Sequence, residues 1–214
     1  HKVHADWPGV AVVPDVAALV ARPDIDLIVV ATPNAQHHPV AKAALEAGKH
    51  VVVDKPFTLD VAEARELDLL SRRNNRVLAV YQNRRFDADF LTLKDVLATG
   101  ELGRPVYMES HFDRFRPEVK ERWREQAVPG SGLWVDLGSH LVDQAVQLFG
   151  PPTHVYGEVD TRRPGAEVED DAFVALTHEG GVRSHLFMSA VTPLFGPRFR
   201  VNGLRAGFSS DGLD

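Results

Sequence analysis

Asp26-Leu-Ile-Val-Val-Ala31, running into Thr32-Pro33-Asn34, decides the fold. The run is short, apolar and β-branched, and it stops at a polar loop. It reads as a strand buried on both faces, as parallel strands are. Pro39 to Ala47 reads as a helix, with Gly48 as its stop. His50-Val-Val-Val53 repeats the strand pattern and ends in another loop, Asp54-Lys55-Pro56. Thr58 is the expected cap of the next helix, which carries Val61, Ala64, Leu67 and Leu70 at helical spacing. Asn74-Asn75 closes that helix, and Arg76 to Tyr81 is a third strand. Strands alternating with helices predict an α/β fold with a parallel, doubly wound sheet.

Outward from this core the rhythm changes. His1 to His4 reads as the tail of a helix. After Asn83 come a helix over Phe90 to Leu97, a strand over Pro105 to Phe112, and one long helix from Leu133 to Phe149. Strands follow at 154–160, 171–177 and 182–190, the last two joined by Glu179-Gly180-Gly181 as a hairpin turn. This second part is α+β with neighbouring antiparallel strands. The expected division is 1–83 for the parallel domain and 84–214 for the second.

Composition narrows the function. The chain has 214 residues, long enough for one large domain or two small ones, and its 44% hydrophobic content supports a packed core. The formal charge of −6 disfavours a nucleic-acid backbone as partner. No cysteine is present, so disulfides, thiolate metal sites and cysteine nucleophiles are excluded. No apolar run approaches the roughly 20 residues that cross a bilayer, so no membrane partner is expected. The simplest compartment is the cytoplasm.

Three polar loops sit at the carboxyl ends of consecutive parallel strands: Thr32-Pro33-Asn34, Asp54-Lys55-Pro56 and Gln82-Asn83-Arg84. Ligands of such sheets bind in the crevice outside those ends. Pro56 biases Lys55 towards an extended backbone and so fixes where its ammonium stands. The plainer reading of Lys55 is a solvated loop lysine. A second group lies in Gly130-Ser-Gly-Leu-Trp-Val-Asp136-Leu-Gly-Ser-His140-Leu-Val-Asp143. Asp136, His140 and Asp143 stand at i, i+4 and i+7, which is one helix face. A carboxylate and an imidazole one turn apart can serve as a general acid/base, as a capping Asp beside a satisfied histidine, or as metal ligands. Gly138 would let something approach the helix closely. Arg114 and Arg116 follow a strand end inside a mixed run of charge, whose default is a solvated face and whose alternative is contact with a hydroxylated substrate. His37-His38 begins a helix beside the crevice.

These motifs resemble the Gfo/Idh/MocA oxidoreductase family along nearly the whole chain. The family's A-T-P-N-x-x-H loop stands here as Ala31, Thr32, Pro33, Asn34 and His37. Its E-K-P loop stands as Asp54-Lys55-Pro56, with Asp for Glu, and its D-x-G-x-H-x-x-D helix as Asp136, Gly138, His140 and Asp143. The Phe112-Asp-Arg-Phe-Arg-Pro117 run with Arg122-Trp-Arg-Glu125 is similar to the branch of NADP-dependent scyllo-inositol dehydrogenases. The resemblance implies a Rossmann domain followed by an α/β domain with a large open sheet used for homo-oligomerisation. It implies reversible oxidation of a sugar or polyol hydroxyl by NAD or NADP, NADP slightly favoured; no metal is expected, because no further ligand cluster stands in the sequence. Lys55, Asp136 and His140 take its catalytic positions. Thr32, Pro33, Asn34, His37, Asp54, Lys55, Pro56 and Asn83 lie towards the cofactor, and Arg84, Arg114 and Asp143 towards the substrate. The strand-end loops and the helix at 133–149 would then line one cleft. The rivals are a silent, ligand-sensing member of the same fold and a metal-dependent hydrolase or isomerase using Asp136 and His140. The family's G-x-G-x-x-G turn and its cofactor-choosing residue would stand upstream of His1, so the chain is expected to be the middle of a longer protein that binds NAD(P) poorly by itself.

Overall fold

A computed structural model describes residues 2–212 of the chain. They form two compact units that part between Tyr81 and Gln82.

The first unit runs α1 (Lys2–Asp6), α2 (Val16–Val20), β1 (Leu27–Val30), α3 (His37–Glu46), β2 (His50–Asp54), α4 (Val61–Arg73) and β3 (Leu78–Tyr81). The sheet order is β1-β2-β3, all parallel, with Val30 opposite Val53 and Val53 opposite Val80. Ile28, Val30, Val51 and Val53 pack against Ala41, Ala44 and Leu45 of α3 and Leu67 of α4. Burial on both faces does not hold for β1. Leu27 and Val29 alternate with the core residues and are exposed, at 49% and 63%. The reason is that the helices named in the core all lie on the Ile28/Val30 face, and side chains alternate across a strand.

The cap of α4 is also corrected. Asp60 accepts from the Ala62 amide at 2.6 Å, while the Thr58 hydroxyl donates to the Asp60 carbonyl at 2.8 Å. Thr58 stands too early to reach the first free amides of the helix, so it braces the turn and leaves the cap to Asp60.

The second unit runs α5 (Ala88–Thr99), β4 (Pro105–Asp113), α6 (Ser139–Phe149), β5 (Pro152–Asp160), β6 (Asp171–His178), β7 (Arg183–Ser189), β8 (Phe199–Gly203) and β9 (Gly207–Ser210). Its sheet has the order β5-β6-β7-β4-β8-β9. Only the β4–β7 pair is parallel. Phe90 and Leu93 of α5, and Leu141 and Ala145 of α6, cover Met108, Leu186, Met188, Phe199 and Val201 of the sheet. Strands β8 and β9 are additions to the sequence reading. The single helix expected over 133–149 is divided: Trp134–Gly138 is a π-helical turn, and the α-helix proper starts at Ser139. Asp136 therefore stands in a wider turn than His140, and the regular i, i+4 geometry between them does not apply. Among the described residues no helix is long and apolar enough to cross a membrane.

Candidate active site

In the first unit the parallel strands end side by side, and their loops continue from that edge. After β1 the chain exposes Thr32 and Pro33 and buries Asn34, which opens a 3-10 turn into α3. After β2 the Lys55 amide donates to the Asp54 carboxylate at 2.8 Å, and the Lys55–Pro56 peptide bond is cis. His37 ties the two loops together. Its Nδ1 lies 2.7 Å from the Pro56 carbonyl and its Nε2 3.0 Å from the Thr32 carbonyl. The ring is only 1% exposed, so its effect on any ligand runs through the loops it holds. His38 is separate: it meets Glu66 of α4 at 2.7 Å. An exposed Thr-Pro rim, a buried amide and a half-buried lysine thus stand at the carboxyl ends of parallel strands, where such sheets bind their ligands.

In the second unit Gln82 leads into a 3-10 turn, Asn83–Phe86, that carries Asn83 and Arg84. Arg84 pairs with Asp87 at 3.1 Å, and its carbonyl accepts from Gln144 at 2.9 Å. Asp143 is engaged by Arg85 through two contacts, at 2.8 and 2.5 Å. It anchors α6 to that turn.

His140, 4% exposed, sets its ring edge-to-face with Phe112 at 6.1 Å between centroids. Phe112 in turn lies under the guanidiniums of Arg198, at 3.9 Å, and Arg84, at 5.5 Å. Arg198 is buried and bonds to Ser110 at 2.5 Å and to Gln144 at 2.7 Å. Burial, the dominant cause, pulls its pKa down to about 10, and Asp89 opposes that shift. Phe112 thus packs between this arginine and the histidine. No periodic signal marks Arg198 in the sequence.

Gly138 is approached closely, and the approaching group is the indole of Trp134, one turn earlier. A Cβ there would sit 2.9 Å from Trp134 Cδ2. Asp136 lies 3.7 Å from Arg124. Arg114, Arg116, Arg122, Arg124 and Arg163 gather around it in one cavity. Among the described residues no three His, Asp or Glu side chains group as metal ligands.

Residues 1–82 match the model of an oxidoreductase family with an NAD-binding Rossmann fold, and residues 90–209 match the GFO/IDH/MocA C-terminal domain. The chain is 53% identical over 213 residues to YdgJ, an uncharacterized oxidoreductase of Escherichia coli, covering 100% of this chain and 61% of that one. It is 36% identical to IolW, the NADP(+) scyllo-inositol 2-dehydrogenase of Bacillus subtilis, covering 100% and 59%. A crystal structure from Klebsiella pneumoniae, 47% identical, matches with a TM-score of 0.90 over 100% of this chain and 58% of that one. The chain thus spans about three fifths of the length of these relatives. With both halves matched, the chain belongs to the Gfo/Idh/MocA family of oxidoreductases.

Proposed function

We propose that the protein is an NAD(P)-dependent dehydrogenase acting on a secondary hydroxyl of a sugar or inositol-like polyol. The observation that carries this reading is His140. It is a buried imidazole held against Phe112, one turn beyond a half-buried carboxylate, on the helix that bears the family motif. The identity to a scyllo-inositol 2-dehydrogenase supports the polyol class and the use of NADP.

When bound, the oxidised nicotinamide supplies the acceptor for the hydride of the carbinol carbon. The chain's own groups do the rest. Thr32, Pro33, Asn34 and Asn83 would hold the dinucleotide. His140 takes the hydroxyl proton as the carbon–oxygen double bond forms. Lys55 donates to the same oxygen and stabilises its developing negative charge, as an oxyanion-hole donor does. Asp136 accepts a hydrogen bond from a neighbouring substrate hydroxyl or from the imidazole. In the reduction direction the same groups return the proton.

The test is absorbance of reduced nicotinamide with the purified protein, either dinucleotide, and a panel of inositols and aldoses. Turnover with NADP is expected, rising with pH through one ionisation that His140→Asn abolishes. No turnover with any polyol would favour the silent, ligand-sensing reading. Activity that follows added divalent metal would favour the hydrolase or isomerase.

A further inference from the structure

The chain leaves β4 as Arg114-Phe-Arg116, and this stretch is pinned as an extension of the strand. The Arg114 amide donates to Ser189 at 2.8 Å, the Arg116 amide to Ala190 at 2.7 Å, and Phe115 bridges Val191. Their side chains line the cavity beside Asp136.

The five arginines of that cavity fall into two sets. Arg163 is spent on Asp170 at 2.7 Å and Glu125 at 3.2 Å, and Arg122 on Glu125 at 2.5 Å. Arg124 lies 3.7 Å from Asp136 and stacks on Trp123 at 4.5 Å. Arg114 and Arg116 have no ion-pair partner among the described residues. Arg163 is fixed in turn, because Asp170 is buried and receives the Arg162 and Arg163 amides besides the Arg163 guanidinium. The third acid lining the cavity, Glu169, packs against Gly132, where a Cβ would strike its carboxylate. Burial, and after it the neighbouring Arg116, holds Arg114 below the usual arginine range, with Arg122 and Arg84 adding to the effect and Asp136 opposing it. The cavity thus has unspent cationic groups on a fixed backbone. A planar guanidinium pair of this kind binds carboxylate or phosphate by charge-assisted hydrogen bonds.

We infer that the Arg114/Arg116 cavity is a subsite for an anionic group on the substrate, so that the preferred sugar or polyol carries a carboxylate or a phosphate. The inference rests on the dehydrogenase reading, since Asp136 is common to the cavity and the proposed centre. It also explains why a strand end would carry two arginines where a neutral polyol needs only hydroxyl partners.

The test is calorimetry on the purified protein with D-glucose, D-glucuronate and D-glucose 6-phosphate. At least one acid is expected to bind about tenfold or more tightly than glucose, and added salt should narrow the gap. A preference for glucuronate identifies a carboxylate and one for glucose 6-phosphate a phosphate; either supports the subsite. Arg114→Gln and Arg116→Gln should each collapse the preference, while Arg65→Gln on α4, equal in charge change, should leave it intact. Arg116 is exposed, so its variant carries the test should Arg114→Gln fail to fold. Equal binding of acid and neutral sugars overturns the inference, as does a preference that survives both substitutions. If the dehydrogenase reading alone is wrong, no reduced nicotinamide forms but the calorimetric preference stands. If the subsite alone is wrong, neutral polyols turn over and the preference is absent.

Discussion

Lys55 shows how much a single position can owe to its backbone. β2 delivers it, Asp54 accepts from its amide, and Pro56 beyond it is gripped through its carbonyl by His37. The side chain is half-buried, so its removal leaves no large cavity in the core. Lys55→Ala should therefore keep its melting temperature and lose about 10²–10³ in kcat, the usual cost of one donor to a developing oxyanion. Near-normal turnover would remove Lys55 from the mechanism. His37→Ala is expected to differ in kind. It unties two loops and opens a buried space, so stability and dinucleotide KM should both worsen, by about 1–3 kcal/mol for the lost buried contacts. A chemical denaturation series on both variants separates the two roles.

At the scale of elements, the π-helical turn at Trp134–Gly138 sets where Asp136 stands relative to α6. Trp134 closes over Gly138, and a methyl group there would force the indole aside. Gly138→Ala is expected to cost about 1–3 kcal/mol of stability, as overpacking does, and to lower kcat by displacing Asp136. Unchanged denaturation and turnover would show that the turn tolerates other packing. The sequence could not reveal this turn, because a wider helical turn shares its residues with an ordinary one. The parallel strands were legible, since β-branched runs ending in polar loops have few other readings. Strands β8 and β9 were not, because Arg200 and Asn202 break up a run of five residues whose inward pair is only Phe199 and Val201. Lys55, Asp136 and His140 stood out by their spacing from strand ends and from one another. Arg198 did not, because a buried cation is identified by its partners, Ser110 and Gln144, which lie far away in sequence. The arginines after β4 looked like a solvated face, and only the pairing pattern separates Arg114 and Arg116 from Arg122 and Arg163.

The sheet of the second unit has one face under α5 and α6 and a second face rich in aromatic rings. On that face Phe187 stacks with His111 at 4.4 Å and meets Phe173 at 4.9 Å, while Tyr107 sets its edge against His185 at 5.0 Å. Tyr156 continues the row on β5 and is 57% exposed. We propose that copies of the protein associate through this face, since aromatic side chains are enriched at interfaces. Tyr156→Asp should then shift sedimentation towards the monomer without unfolding it, and an unchanged sedimentation profile would move the contact elsewhere. His185 adds a pH signature. Burial first, and then Arg183, hold it below its usual 6.5, with Glu109 opposing. The fold therefore favours the neutral ring. As pH falls past 6.5 the unfolded chain takes its proton first, so the stabilisation is complete above that value and is lost as pH falls through the lowered folded value. Association would bury the ring further and weaken over the same window. Melting temperature and sedimentation followed between about pH 5 and 8 should thus fall together on the acid side. His185→Gln should flatten both curves; if it flattens neither, the titration belongs to another group and the face is not what assembles the protein.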